Sequence, residues 1–349
     1  MKSTRESERL ARRRRPWISP PPISALRPTV KRSAVVTLLV IGAAVPVFIT
    51  DSFTIGVLTD SLIYVVLALS YDLSVGQVGS FSLAHPAFFG VGAYASAILV
   101  AHTQLPLAVQ ALCATVCAAA LAFLIGIPAL RLSHLTFGMA TLGFALIAQL
   151  VALNAVEVTG GPLCLSGLPP LSVDSLTSAG VTIAAQEYYA FLIIAVLVAI
   201  LIRALVTSRI GRAYIAIRED EPMAMAAGIN PTAYRMSAFV IGAGLAGLLG
   251  SFYAHYLSIV CPSNLGISYT ISLLVIIFLG GVGGFWGIIL AAFVFTAIPE
   301  ELQVDPTIRL IVYGLVLLVG VTLMPHGFEG VFEWLRRRAR RWRRRIGDA

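Results

Sequence analysis

Few side chains in this sequence are placed to do covalent chemistry. A phosphate-cradling loop of the form G-x-x-x-x-G-K-[ST] needs a lysine that reaches the nucleotide. The only lysines, Lys2 and Lys31, stand in the amino-terminal tail without the required glycines. His102, His134, His255 and His326 are scattered without metal-ligand spacing, and neither a zincin motif nor a serine nucleophile elbow occurs. Cys113 and Cys117 lie one helical turn apart in an apolar run, where structural packing is the default reading. What remains is a set of polar groups inside apolar sequence: Gln77, Ser80, Ser82 and His85, preceded by Asp60 and Asp72. At membrane depth such groups are tolerated when buried in protein or facing a cavity. A lone intramembrane histidine more often satisfies packing than contacts a solute, and an acid at that depth could serve as a proton relay or simply be paired.

The elements that must position these groups are apolar helices. The composition is 58% hydrophobic and 12% charged, with mean hydropathy +0.88, against about 45–50% apolar and about 25% charged in soluble domains. Apolar runs predict helices near Ser33–Ile49, Ile55–Ser70, Leu83–Ala101, Leu107–Leu130, Leu135–Ala155, Tyr188–Val206, Tyr234–Leu257, Tyr269–Gly280, Phe285–Pro299 and Ile308–Met324. Most approach the roughly 20 residues that cross a bilayer, whereas Tyr269–Gly280 is too short to span alone. The expected fold is all-α and polytopic, with about ten crossings and a range of roughly eight to ten. Two glycine-interrupted segments, Gly76–Gly92 and Gly280–Gly287, would be counterparts if the chain held an inverted internal repeat.

A net charge of +8 invites a nucleic-acid reading, but the basic residues gather at the two ends and in one internal loop. With the amino end inside, all of the 25 Lys and Arg except Arg309 fall on one side of the predicted bundle. That pattern obeys the positive-inside rule and places both termini in the cytoplasm. Residues 1–32 read as a basic, Pro-rich disordered tail, 33–330 as the transmembrane domain and 331–349 as an Arg-rich tail. A cleaved signal peptide is the competing reading of the start, but no small-residue cleavage pattern follows Ile49 and the chain goes on spanning. Cys164 and Cys261 both fall in loops expected outside, where a disulfide is allowed.

The longest polar stretch on the inner side, within 208–235, reads as a short amphipathic helix. Glu219, Asp220 and Glu221 are expected at its start, where a helix dipole favours anions, and Ala224–Ala227 offer small, flexible contacts before Gly228 ends it. Either a docking surface or a solvated interfacial connector fits that pattern.

Two segments carry a family resemblance. Gly211–Arg212–Ala213, Ala216–Ile217–Arg218–Glu219–Asp220–Glu221 and Ala227–Gly228–Ile229–Asn230 resemble the cytoplasmic coupling helix of branched-chain amino acid permeases of the Liv type. These are components of ATP-binding-cassette importers. Met225 stands where that family often has an acid. The stretch Gly76–Leu99 is similar to the family's Gly-Gln-x-Ser-Leu-Gly-His-x-x-Phe-x-Gly-x-Gly-Ala-Tyr segment, with Ala84 and Pro86 as departures, and Pro86 is expected to break or kink the helix. Further matches are Thr159–Pro162 with Leu165–Pro169, Leu279–Gly287 and Met324–Phe328, so the resemblance covers about Ala34–Phe328. Leu163 and Cys164 replace the family's usual Asn-Gly, and Leu146 and Gln149 stand where Glu and Arg are common.

The resemblance implies a permease that translocates branched-chain amino acids, or relatives such as urea and amides, across a bacterial inner membrane. It assigns Arg212, Arg218, Glu219, Asp220, Glu221, Ala227, Gly228 and Asn230 to ATPase coupling. Gln77, Ser80, Ser82, His85, Phe88, Gly90, Gly92, Gly281 and Gly283 are the candidates for the translocation pathway. The implied partners are cytoplasmic ATPase subunits that hold the ATP, a second permease chain forming a hetero- or homodimer, a periplasmic solute-binding protein and membrane lipid. No cofactor, metal or nucleic acid is expected on this chain. The alternatives are a proton-coupled carrier or channel using Asp60, and a membrane enzyme, for which no catalytic constellation is present.

Overall fold

Asp51 caps the helix that follows it: its carboxylate accepts from the Thr54 amide at 3.1 Å and the Thr54 hydroxyl at 2.8 Å. The computed structural model describes residues 51–103, 105–171, 182–301 and 327–330 together with positions 42, 46 and 314. The predicted helices Ser33–Ile49 and Ile308–Met324 lie outside these residues, apart from Gly42, Pro46 and Gly314, which are helical.

Helix α1, Ser52–Asp72, continues into a single π-helical turn, Leu73–Gln77. Then come α2 (His85–His102), α3 (Leu107–Ala129), α4 (His134–Asn154) and α5 (Ile183–Thr207). Two short helices, α6 (Arg209–Glu219) and α7 (Glu221–Ala226), lead into α8 (Pro231–Leu257), the longest of the described helices. The hairpin α9 (Ile267–Gly280) and α10 (Phe285–Glu301) follows.

Among the described residues, five helices are long and apolar enough to cross a membrane: α1 with its π turn, α3, α5, α8 and most of α4. Their burial separates centre from periphery, at 61% for α1 and α8 and 28% for α3, α4 and α5. The outer faces carry Leu112, Val116 and Leu124 on α3, Leu135, Met139 and Ile147 on α4, and Leu197 and Ile200 on α5. Apolar side chains turned outward from helices that satisfy their own backbones are what lipid requires, and the chain is a multi-pass membrane protein.

The centre is built by close approach of small residues. On α3, Ala111, Ala114, Ala118, Ala122 and Gly126 recur at three- and four-residue spacing and are buried. Opposite them on α8, a Cβ at Gly247 would meet the Ala114 carbonyl oxygen at 2.9 Å, and a Cβ at Gly92 of α2 would strike the Gly247 backbone. Lipid supplies no hydrophobic drive between helices, so such intimate backbone contact is what holds them together.

Beyond the carboxyl end of α8, two short strands, β1 (Leu165–Ser166) and β2 (Ile259–Val260), pair antiparallel with Leu165 opposite Val260. The disulfide Cys164–Cys261 closes this cap. His255 ties it to the bundle, with Nδ1 2.8 Å from the Pro169 carbonyl oxygen and Nε2 2.8 Å from Gln110 Oε1. The helices α6 and α7 sit before the amino end of α8, so the cap and these two helices occupy opposite ends of an element about 40 Å long.

Pro86 does not kink a helix. It lies in the first turn of α2, where the missing N–H is an orphan in any case and the fixed φ is helical. The short helix expected to start at the acids and to end at Gly228 is α7, capped by Asp220, and a second helix, α6, precedes it in the same stretch because Pro222 cannot continue α6.

Candidate functional site

Helix α6 starts on Ser208, whose hydroxyl accepts from the amides of Ile210 (3.1 Å) and Gly211 (3.4 Å). Tyr214 and Ile217 are buried and pack with Leu73, Val78, Ala224 and Ala238, fixing this helix under the bundle. The opposite face leaves Arg212 and Glu219 exposed. Glu219 therefore ends α6, while Asp220 caps α7, its carboxylate accepting from the Met223 amide at 2.9 Å, and Glu221 is its first residue. Glu221 is held by a two-pronged ion pair with Arg235 at the start of α8, both contacts at 2.8 Å. The planar guanidinium fork suits that geometry.

Ala227 caps the far end of α7, donating its amide to the Met223 carbonyl at 3.1 Å. Gly228 then turns with φ +81°, left-handed backbone that glycine adopts without cost, and a Cβ there would meet nothing within 4 Å. Asn230 caps α8 by accepting from the Ala233 amide at 3.3 Å. Of the predicted coupling residues, Arg212, Glu219, Asp220, Ala227, Gly228 and Asn230 are exposed and Glu221 is partly buried against Arg235, whereas Arg218 turns inward.

Arg218 donates to the Gly76 carbonyl in the π turn. Burial pulls its guanidinium below the usual value, and the Asp72 and Glu219 carboxylates oppose that. Asp72 is 4% exposed. Its Oδ1 accepts from the Gly283 amide at 2.9 Å and its Oδ2 from Gln77 Nε2 at 2.9 Å, and Gln77 also reaches the Gly283 carbonyl at 3.3 Å. Two pathway candidates, Gln77 and Gly283, therefore meet a coupling candidate at one spot. Gly281 (φ +98°) and Gly283 (φ +80°) make the tight turn between α9 and α10. On its other side Glu329 accepts from the Gly287 amide at 2.9 Å.

The remaining pathway candidates sit apart from this spot. Ser80 lines a cleft of about 360 Å³ with Arg131, Ser133, Phe137, Glu221 and Arg235. The Ser82 carbonyl accepts from the Tyr71 hydroxyl, and its own hydroxyl lies 3.3 Å from the Ala84 amide at the start of α2. His85 Nε2 is 2.9 Å from Ser70 Oγ, and its ring stacks on Tyr71 with centroids 5.0 Å apart. Phe88 is fully buried between Phe144 and Phe239. Gly90 gives room to Leu265. Among the described residues no group of three or more His, Cys, Asp or Glu gathers as metal ligands would.

Sequence reasoning missed Glu329 and the structural place of Asp72. A signal for the second existed in Asp72 and Gln77 on adjacent turns beside Gly76, with a carboxylate too deep to stay unpartnered.

A family model described as branched-chain amino acid transport system / permease component matches residues 53–321. The high-affinity branched-chain amino acid transport system permease protein LivM of Salmonella typhimurium is 32% identical over 304 residues, covering 79% of this chain and 70% of the relative. The protein of the same description from Escherichia coli is 31% identical over 298 residues, with the same coverage. No solved structure matches. With the family model spanning most of the chain and both permeases aligned along most of their own length, this chain belongs to the family of branched-chain amino acid transport permeases.

Proposed function

We propose that this chain is the membrane-spanning subunit of an ATP-binding-cassette importer. It moves branched-chain amino acids, or related small polar solutes such as urea or amides, into a bacterial cell by alternating access. The observation that carries this reading is the helix pair α6–α7: one face is buried under the bundle, and the other presents Arg212, Glu219, Asp220, Met223 and Met225 to a partner. Flexible methionines beside charges make a surface that another protein can fit. The chain has no nucleotide-binding loop of its own, so the ATP belongs to cytoplasmic ATPase subunits that dock there.

A second permease chain completes the pathway in this reading, and a periplasmic solute-binding protein delivers cargo to the cap. Arginines cluster at the α6–α7 end and both tails, supporting cytoplasmic termini in the inner membrane. The disulfide at the far end fits an oxidising compartment. The chain itself does no covalent chemistry.

Proteoliposomes test the reading. ATP-driven uptake of radiolabelled leucine is expected only when ATPase, partner permease and loaded binding protein are all present. Uptake by this chain alone, or uptake driven by a proton gradient and abolished by Asp60→Asn, would replace the importer with an autonomous carrier.

A further inference from the structure

Three segments far apart in sequence converge behind the docking surface: the end of α1 with its π turn, the inward side chain of α6, and the glycine turn between α9 and α10. The contact between them is polar. Arg218 bonds the Gly76 carbonyl, the Asp72 carboxylate takes the Gly283 amide and the Gln77 side chain, and Gln77 also reaches the Gly283 carbonyl. At Gly76 and Gly283 themselves there is no room for a side chain. A Cβ on Gly76 would come within 2.7 Å of the Gly283 nitrogen, and one on Gly283 within 2.7 Å of Arg218 Nη1.

This construction differs from the rest of the interface beneath α6, where Tyr214 and Ile217 are buried in an apolar cluster. Apolar packing is non-directional and can slide, whereas a hydrogen bond weakens steeply once its angle or length departs from the optimum. Leu73 and Val78, on either side of Gly76, pack in that same cluster, so α6 stays seated on the π turn while the directional bonds to Gly76 and Gly283 are the part of the contact that is either made or broken. The backbone on both sides can follow such a change, since Gly79, Gly281 and Gly283 already occupy left-handed conformations that only glycine takes freely. A π turn interrupts the regular helix at the same place, as π turns often do where a helix has a functional task.

We propose that Asp72 is the hub of a coupling joint, with Gln77 and Arg218 as positioning residues, through which movement of α6 reaches the α1 and α9–α10 segments of the bundle. The proposal rests on the reading of α6–α7 as an ATPase-docking element and names how the motion enters the membrane domain. When a motor shifts α6, Arg218 draws on Gly76, the Asp72–Gly283 contact opens, and the α9–α10 turn is released from α1. Asp72 so placed is not a solvated end group.

The test uses the complete complex in proteoliposomes, measuring leucine uptake and ATP hydrolysis together. Asp72→Asn keeps the side-chain volume but offers one oxygen to two donors, so one contact must break. In an assembled complex it is expected to lower uptake about tenfold or more while hydrolysis persists and no longer rises with loaded binding protein. Arg218→Lys, which can still donate to Gly76, is expected to recover part of the uptake that Arg218→Ala loses. In the unmutated complex, hydrogen exchange in a peptide spanning 279–287 should speed up when the ATPase is trapped with nucleotide.

Normal coupling in Asp72→Asn would overturn the joint, as would equal loss of uptake and hydrolysis in an assembled complex or unchanged exchange at 279–287. A wild-type complex without ATP-driven uptake would instead overturn the importer reading beneath it.

Discussion

Gly92 shows how much of this protein is decided at single positions. A Cβ there would run into the Gly247 backbone, so α2 and α8 touch main chain to main chain. Gly92→Leu must push two packed helices apart, and overpacking of this kind costs roughly 1–3 kcal/mol or more. The expected result is a clear fall in the unfolding midpoint in detergent and in membrane yield. Gly143→Ala is the control: nothing lies within 4 Å of a Cβ at that position of α4, so stability should hold or rise slightly. The glycines of the Gly76–Gly92 segment were legible in the sequence as places of close approach, because only a missing side chain permits it. For Asp72 the sequence offered its neighbour Gln77 but not its second partner, since Gly283 lies 211 residues further on. The same holds for His85, whose packing between Ser70 and Tyr71 depends on how the chain returns after the π turn.

Among the elements, the α6–α7 pair turns local sequence rules into a working surface. The start of α7 was legible in the Glu-Asp-Glu-Pro run, where Asp220 is a good amino-terminal cap and Pro222 forbids continuation from an earlier turn; the separate helix α6 before it was not read. At the other end Gly228 stands in open space with positive φ, so its substitution separates two effects. Gly228→Ala should cost only the left-handed backbone strain, about 1 kcal/mol, and leave uptake close to normal. Gly228→Arg bears the same strain and adds a large cation on the docking face. It is expected to insert and assemble its bundle normally, seen as unchanged membrane yield and monodispersity, yet to lose ATP-driven uptake. If both variants transport equally well, the Gly228 end of this pair does not meet the motor.

For the whole molecule the governing feature is its polarity, with a disulfide-closed cap at one end of α8 and the arginine-bearing α6–α7 pair at the other. The separation of the two ends is readable in the amino-acid sequence itself, because Lys and Arg gather in alternate loops and, Arg309 apart, leave the cap side without them. The disulfide was only an allowed pairing, since sequence carries no distance between Cys164 and Cys261, 97 residues apart. A loop of that length in a free chain would be worth about 4.7 kcal/mol. Helices that remain inserted when packing is lost already restrict the loop, so Cys164→Ser with Cys261→Ser should lower the unfolding midpoint without preventing insertion. Orientation itself is decided by thiol labelling in a background carrying Cys113→Ala and Cys117→Ala. Met223→Cys, at a site 69% exposed, should resist an impermeant maleimide on intact spheroplasts and react once the membrane is opened. Glu157→Cys, exposed near the cap, should react on intact spheroplasts. A reversed pattern would put α6–α7 on the side where no ATPase can reach, and the acids and methionines of that surface would then have to serve an external partner.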